Sequence, residues 1–321
     1  MKLIPAFFRL IRWPNLVFIV LTQALFYYCI VVPVFENHQV APALNPLLFW
    51  FLVLASVLIA AAGYIINDYF DLNIDRVNKP DKLVVDKLIK RRWAILWHLL
   101  LSALGLGITL WVGWRLFDWQ AALAVGINFL CVGALWLYST TYKRKLLIGN
   151  LLISLLTAWT ILILYVVNVK SWFITKFPLE RINYNKAVTQ LFKLAILYAG
   201  FAFISSLIRE VIKDMEDMEG DARYGCRTMP IVWGIPVSKV FTAVWVVVLI
   251  AALVIVQFYV LHFGWWLSAI YGFLLVILPL LWLLRELYRA HTPQHYHRLS
   301  TAIKLVMLAG IVSISFFYWY Y

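Results

Sequence analysis

Two short segments hold most of the carboxylates of this chain. The sequence has 321 residues and 15 Asp and Glu, of which five lie between Asp68 and Asp86 and six between Glu210 and Asp221. If these acidic residues served only to keep loops in water, they would be spread over the other connections as well. The clustering therefore predicts two places where the protein requires negative charge.

The two segments repeat one spacing of aspartates. The positions i, i+3 and i+7 are occupied in each: Asp68, Asp71, Asp75 and Asp214, Asp217, Asp221. On a helix, this spacing places three like charges on a single stripe, where they repel one another. A helix that keeps such a stripe is expected to hold divalent cations between its carboxylate oxygens.

Mg²⁺ is the predicted cation because it takes one or two carboxylates and leaves other positions for water and phosphate oxygens. Two acidic stripes that face one another across a cavity could bind a diphosphate through Mg²⁺ and stabilise it as it departs. Basic side chains of the same segments are predicted to contact the phosphate oxygens: Arg76, Lys79, Lys82, Lys213, Arg223 and Arg227. The alternative is that each cluster only solvates a helix end at the membrane surface, which accounts less well for two clusters with one spacing.

The elements that carry these segments are predicted to be membrane helices. The chain is 64% hydrophobic and 13% charged, and this charged fraction is about half of that usual in a soluble domain. Apolar windows of spanning length occur at about 14–33, 47–66, 94–114, 119–139, 146–167, 189–208, 240–261, 265–284 and 300–319. The predicted fold is all-α, a polytopic bundle of about nine transmembrane helices with a lateral or central cavity, forming one domain over residues 1–321.

The basic residues predict the orientation of this bundle. If the N-terminus is cytoplasmic, 22 of the 28 Lys and Arg lie on the cytoplasmic side, as the positive-inside rule requires. The Asp-rich loops are then cytoplasmic too, and the net charge of +13 needs no nucleic-acid partner. The stretch from about 168 to 188 is an exception, because it is mildly basic although this orientation places it outside. Its aromatic residues suit an amphipathic cap at the outer interface: Trp172, Phe173, Phe177 and Tyr184.

The two segments match known motifs. Residues 67–75 carry the NDxxDxxxD signature of the UbiA superfamily of intramembrane prenyltransferases, and residues 213–221 resemble its second motif, KDxxDxxGD. Further resemblances are the Arg-Trp-Pro-Asn of residues 12–15, and Tyr138-Ser139 followed by Lys143-Arg144. The resemblance extends over the whole chain, with motifs after the second and sixth helices.

The resemblance implies transfer of a prenyl group from a polyprenyl diphosphate to a lipophilic acceptor within the lipid membrane. The six aspartates would hold Mg²⁺ and the diphosphate, and Asn67 would assist the first motif. Substrate contacts are implied for five basic residues: Arg12, Arg76, Lys143, Arg209 and Lys213. Arg12 and Lys143 fit a role as positive-inside anchors equally well. No protein partner is expected.

The acceptor stays open at this stage. Residues 209–221 are most similar to the branch that transfers geranylgeranyl groups to geranylgeranylglyceryl phosphate, whereas residues 82–87 (KLVVDK) replace an Arg-Pro stretch ending in Ser-Gly. An acceptor hydroxyl or an aromatic carbon would capture the allylic cation left by loss of diphosphate. Prenylation of an aromatic acceptor is therefore the alternative. A transporter of a phosphorylated solute is more distant, because the predicted spans contain no central Asp or Glu.

Several other polar residues are predicted to be structural. Asn128 is expected to form an interhelical hydrogen bond, with a cavity-lining position as the alternative. The histidines of the loop after the eighth span match no helical metal pair: His291, His295 and His297. The three cysteines have no disulfide or metal spacing: Cys29, Cys131 and Cys226.

Overall fold

The computed structural model describes residues 3–78, 83–116, 119–169 and 178–320. Within these ranges every regular element is helical, and the one other feature is an isolated bridge between Val85 and Ile89. Nine of the described helices are long and apolar enough to cross a membrane. The predicted fold class and number of spans are therefore confirmed, and the protein is a multi-pass integral membrane protein.

We number the long helices 1 to 9 along the chain. Their bounds are Trp13–Asn37, Pro46–Phe70, Arg91–Leu116, Trp119–Thr140, Ile148–Asn168, Pro178–Glu216, Gly234–His262, Trp266–Arg289 and Pro293–Tyr320. Shorter helices flank them at Leu3–Leu10, Leu72–Asn78, Met218–Arg223 and Met229–Val232. Every long helix contains its predicted span or nearly all of it.

Helix 6 differs most from the prediction. It begins at Pro178, whereas the sequence predicted a span from 189 preceded by an interfacial cap. Tyr184, Ala187 and Leu191 are all buried, at helical spacing, and the Tyr184 hydroxyl donates to the carbonyl oxygen of Asn168. Residues 178–188 therefore belong to the helix because they have an apolar face of their own. The predicted cap residues Trp172, Phe173 and Phe177 lie outside the described residues.

Helices 1 and 8 each contain one wide turn ahead of a proline. Residues Tyr27–Val31 and Phe273–Ile277 are π-helical, and Pro33 and Pro279 follow two residues later. A proline lacks the backbone N–H, and its ring crowds the carbonyl four residues before it. The wider turn accommodates the ring without ending the helix.

The chain divides into two compact units. Met1–Tyr142 and Trp159–Ile196 form the first, and Lys143–Ala158 and Leu197–Tyr321 form the second. The first unit contains the first aspartate segment, and the second unit contains the other. The single domain over residues 1–321 stays a prediction.

In the first unit, a buried cluster surrounds the end of helix 2. Ile65 of helix 2 packs with Leu10 of the N-terminal helix, with Leu72 beyond the helix end, and with Val85 and Ala94. Helices 2 and 3 also approach closely near the middle of helix 2, where a Cβ added to Gly105 would lie 2.8 Å from Cγ1 of Ile59. The helix that carries the first aspartates is thus fixed by packing on several sides.

In the second unit, the end of helix 6 is packed on two faces. Ile212 and Met215 belong to a buried cluster that includes residues of helices 7, 8 and 9. Leu207 and Val211 belong to another cluster, against which Leu151 of helix 5 packs. Asp214 follows directly on these residues, so its backbone position is set by the same packing.

Candidate active site

The first aspartate segment spans two helices. Helix 2 ends at Phe70, Asp71 lies at the interruption, and Asp75 belongs to the short helix Leu72–Asn78. The N–H of Asp71 donates to the carbonyl of Asn67 at 2.9 Å, and the N–H of Asp75 donates to the carbonyl of Asp71 at 2.8 Å. The helix is therefore interrupted at Asp71, and helix-type hydrogen bonds persist across the interruption.

Asn67 and Asp71 form a partly buried polar pair. The Nδ2 of Asn67 donates to Oδ2 of Asp71 at 2.6 Å, and Asp71 is only 3% exposed. The Oδ1 of Asn67 is buried and has no hydrogen-bond partner. An acceptor oxygen left in this state costs about 1–3 kcal/mol, which a cation could offset. Asn67 thus has a suitable oxygen for the role implied by the resemblance.

Arg12 pairs with the first aspartate. Its Nη2 lies 2.6 Å from Oδ1 of Asp68, and its guanidinium lies over the Tyr64 ring at 5.3 Å from the centroid. Arg12 directly precedes helix 1 and has a left-handed backbone, with φ 50° and ψ 52°, which is unfavourable for a residue with a Cβ. The Asp68 carboxylate raises the pKa of the Arg12 guanidinium. The positive charge of Arg12 is therefore compensated within the protein.

Arg76 pairs with the loop that follows the first segment. Its Nη2 lies 3.0 Å from Oδ2 of Asp86, and both side chains are about half exposed. The loop is anchored by Val84 and Val85, which are buried in the first-unit cluster. Residues 82–87 depart from the family pattern, and two of them, Val84 and Val85, are packed in the buried cluster of the first unit. Lys79 and Lys82 lie outside the described residues.

The second aspartate segment has the same interruption. Helix 6 ends at Glu216, and Asp217 precedes the short helix Met218–Arg223, which contains Asp221. The N–H of Asp217 donates to the carbonyl of Lys213 at 2.8 Å, and the N–H of Asp221 donates to that of Asp217 at 3.2 Å. The helix thus breaks at the middle aspartate of each segment.

Asp214 is held by a residue from another helix. The Nδ2 of Asn150, near the start of helix 5, donates to Oδ2 of Asp214 at 2.8 Å. Arg209 lies five residues before Asp214, and its Nη1 is 2.8 Å from Oε1 of the neighbouring Glu210. The Nε of Arg209 is buried and has no hydrogen-bond partner. Arg209 is therefore paired along its own helix. Lys213 is partly exposed beside Asp214.

Two further contacts join other parts of the second unit to this segment. The N–H of Arg227 donates to the carbonyl of Arg144 at 2.9 Å, and Lys143 belongs to the same short 3₁₀ turn as Arg144. His297 of helix 9 places its Nδ1 2.8 Å from Oε1 of Glu216. The structure thus brings the turn at 143–144 to the loop after the second segment, and a histidine to the end of helix 6.

The donor atoms fit Mg²⁺ that is shared with phosphate. Among the described residues, no group of three His, Cys, Asp or Glu side chains could hold a metal ion. A cage made of protein alone is therefore not present in that part of the chain. Mg²⁺ needs only one or two carboxylates and takes its remaining oxygens from water and phosphate. The unpartnered Oδ1 of Asn67, beside the carboxylate of Asp71, supplies hard oxygens of this kind.

Comparison with known proteins decides the family. The profile of the UbiA prenyltransferase family matches residues 38–308, which is most of the chain. The chain belongs to this family. The UbiA assignment suggested by the two motifs is thus confirmed.

Three curated relatives of this chain share one name. Digeranylgeranylglyceryl phosphate synthase of Pyrococcus horikoshii is 33% identical over 184 residues, 57% of this chain and 56% of that protein. The synthase of Natronomonas pharaonis is 32% identical over 186 residues, with the same shares. That of Thermococcus sibiricus is 26% identical over 251 residues, 78% of each chain. The chain spans slightly more than half the length of the first two relatives.

Solved structures of UbiA-type proteins share the fold. A structure reported for digeranylgeranylglyceryl phosphate synthase in membranes has a TM-score of 0.61 and 23% identity to this chain. The match covers 98% of this chain and 99% of the other. A UbiA homologue from Archaeoglobus fulgidus, bound to DMAPP and Mg²⁺, has a TM-score of 0.56 and 15% identity, with shares of 96% and 99%. The likeness extends over nearly the whole of the chain.

Sequence reasoning found the UbiA motifs but not all of their partners. It missed Asn150, whose only signal is a polar residue in the first turn of an apolar helix, and it missed the pairing of Arg12 with Asp68. The structural role of Asn128 is confirmed, since its Nδ2 donates to Thr109 at 3.2 Å and its Oδ1 accepts from Trp159 at 2.9 Å. All three cysteines are buried and unbridged.

Proposed function

We propose that the protein transfers a prenyl group from a polyprenyl diphosphate to a lipophilic acceptor, with Mg²⁺ as cofactor. One observation carries the proposal: in both UbiA motifs the first aspartate lies at the end of a membrane helix and is held by a residue from the start of another helix. Arg12 holds Asp68 and Asn150 holds Asp214. Carboxylates fixed in this way are suited to a charged substrate, not merely to solvation.

The residues of each motif have distinct tasks in this proposal. Mg²⁺, when bound, supplies positive charge to the diphosphate as it leaves. In each segment the aspartates would hold Mg²⁺, and Asn67 would assist those of the first segment. Arg76, Lys143 and Lys213 contact phosphate oxygens, with Arg12 and Arg209 holding the neighbouring carboxylates Asp68 and Glu210 in place. The apolar helices exclude water, so the prenyl group is transferred and not hydrolysed.

The bond changes are a substitution at carbon. The bond between C1 of the prenyl chain and the diphosphate oxygen breaks, and both electrons leave with the diphosphate. A hydroxyl oxygen of the acceptor then forms an ether bond to C1, and the hydroxyl proton passes to the released diphosphate. None of these steps needs a covalent bond to the protein. Positioning and electrostatics therefore account for the catalysis.

The proposed acceptor is geranylgeranylglyceryl phosphate. This follows from the curated relatives, which are digeranylgeranylglyceryl phosphate synthases, and from the similarity of residues 209–221 to that branch. The proposed donor is accordingly geranylgeranyl diphosphate. We further propose that the N-terminus and both Asp-rich segments are cytoplasmic, since 22 of 28 Lys and Arg would then lie on that side.

The test is release of inorganic diphosphate by the purified protein in detergent. The reaction contains Mg²⁺ and geranylgeranyl diphosphate, with either geranylgeranylglyceryl phosphate or 4-hydroxybenzoate as acceptor. Release that needs both Mg²⁺ and the glyceryl phosphate is the expected result. Release of diphosphate with the aromatic acceptor alone would show that the proposed acceptor is wrong. If the protein did not bind geranylgeranyl diphosphate at all, prenyl transfer itself would be contradicted.

A further inference from the structure

Asn150 lies outside the second UbiA motif and makes a short polar contact with its first aspartate. Its Nδ2 donates to Oδ2 of Asp214 at 2.8 Å, across 64 residues of sequence. Asn150 is buried, with 8% exposure. A hydrogen bond from a neutral N–H stabilises a carboxylate in its charged form and fixes the direction in which its second oxygen points.

The backbone that presents Asn150 is itself fixed. The N–H of Leu151 donates to the carbonyl of Leu147 at 3.0 Å, and the hydroxyl of Ser154 donates to the carbonyl of Asn150 at 2.7 Å. Leu147 and Leu151 pack against the cluster of Leu207 and Val211 on helix 6. Donor and acceptor are thus held by packing that is independent of the hydrogen bond.

The two motifs hold their aspartates with different partners. In the first motif, Asn67 donates to Asp71 from one turn earlier on the same segment. In the second motif, Lys213 occupies the place of Asn67, so its own segment offers no amide there. Asn150 of helix 5 instead donates to Asp214, the first aspartate of that motif and the counterpart of Asp68. Arg12 instead compensates Asp68 with a full positive charge, whereas an asparagine leaves the negative charge of Asp214 available to a cation.

We propose that Asn150 is a positioning residue that orients the carboxylate of Asp214 for metal binding. The proposal rests on the function proposed above, since it assumes that the second motif binds a divalent cation with diphosphate. It assigns Asn150 no contact with the substrate. The loss of a residue that orients a metal ligand typically costs about 10- to 100-fold in metal affinity.

The test measures metal binding without turnover. Mn²⁺ replaces Mg²⁺ and is titrated into the purified protein with inorganic diphosphate present, and free Mn²⁺ is followed by electron paramagnetic resonance. The variants are Asn150→Ala and Asn150→Leu, the latter keeping the branching at Cγ but having no donor. We expect the dissociation constant for Mn²⁺ to rise about 10- to 100-fold in both, and diphosphate release to recover at high metal concentration.

Asn128→Ala is the matched control. Asn128 is also buried, at 3% exposure, and its described hydrogen bonds go to Thr109 and Trp159. A merely structural effect of losing a buried asparagine would appear in this variant as a lower Tm, with Mn²⁺ binding as in the unaltered protein. If Asn150→Ala fails to fold, Asn150→Leu provides the same comparison.

The outcomes separate this proposal from the proposed function. If the unaltered protein binds Mn²⁺ with diphosphate and both Asn150 variants bind it equally well, the positioning role is wrong and the proposed function stands. If the unaltered protein binds no Mn²⁺ with diphosphate present, the metal-dependent function fails and the positioning role fails with it. Weaker binding in the Asn150 variants only, restored activity at high metal, and an unaffected control would support both.

Discussion

At the scale of single residues, the pair of Arg12 and Asp68 is the feature with the clearest functional consequence. The two charges lie 2.6 Å apart with side chains 36% and 19% exposed, so solvent screens them only partly. Removal of one partner leaves the other uncompensated beside the proposed diphosphate site. Arg12 and Asp68 should therefore act as a unit in catalysis.

A double-mutant cycle tests this expectation. In Arg12→Gln, Asp68→Asn and the double variant, kcat/KM should be non-additive, with a coupling energy of about 1–3 kcal/mol. Each single variant should lower turnover strongly while Tm in detergent changes by only a few degrees, since such a pair at a helix end contributes little to packing. Additivity within about 0.5 kcal/mol would show that the two residues contribute independently.

The carboxylates themselves lead to a second prediction, on metal removal. Because the described donor set needs phosphate oxygens to complete a Mg²⁺ shell, EDTA should abolish diphosphate release, and added Mg²⁺ should restore it. The Tm of the substrate-free protein should not change on chelation, because the buried clusters around both motifs contain no metal ligand. Activity that persists in EDTA would contradict the metal role of the aspartates.

The sequence predicts which residues are candidate ligands, but not how they are arranged. Spacing alone identified Asp68, Asp71 and Asp75, since repeated like charges need a physical reason. It could not show the break at Asp71, because a helix interruption depends on how Leu72 and the following loop pack on helix 2. Nor could it find Asn150, since a hydrogen bond across 64 residues leaves no local pattern.

At the scale of elements, the close approach of helices 2 and 3 is set by one glycine. A Cβ at Gly105 would lie 2.8 Å from Cγ1 of Ile59 and 3.2 Å from the carbonyl oxygen of Ala55, whereas a Cβ at Gly107 would meet nothing within 4 Å. Small residues allow membrane helices to pack this closely. Helix 2 carries the first motif, so this contact also bears on the site.

Substitution of these two glycines gives a matched pair. Gly105→Ala should destabilise the protein by about 1–3 kcal/mol, because the helices must separate or Ile59 must leave its preferred conformation. Gly107→Ala should be neutral, or stabilising by up to about 1 kcal/mol through helix propensity. Thermal unfolding in detergent measures both, and equal Tm values for the two variants would mean that the approach at Gly105 does not limit stability.

Element boundaries were predicted where hydropathy changes sharply and missed where it does not. Helix 2 ends at Phe70, close to its predicted limit at about 66, because polar residues begin at Asn67. Helix 6 extends eleven residues earlier than the predicted start at 189, to Pro178, since Tyr184 and Ala187 are buried by tertiary contacts although their neighbours are polar. Average hydropathy over a window cannot register one buried face in a polar stretch.

At the scale of the whole molecule, the distribution of charge was as informative as the motifs. The excess of Lys and Arg on one set of loops predicts the orientation of the bundle. Short loops that are rich in these residues stay on the cytoplasmic side of the membrane. Fold class and the number of spans followed from composition and were confirmed. The division into two compact units was not predicted, since hydropathy marks where helices lie and not which of them pack together.

The proposed orientation can be tested with single cysteines, because all three native cysteines are buried. Ala41 follows helix 1 and His291 follows helix 8, and both are exposed. In intact cells, a membrane-impermeant maleimide should label the Ala41→Cys variant and not His291→Cys, while inverted vesicles should show the reverse. A native background that stays unlabelled is the control. Labelling of His291→Cys in intact cells would place both Asp-rich segments outside, and the excess of basic residues would then lie on the side that the positive-inside rule disfavours.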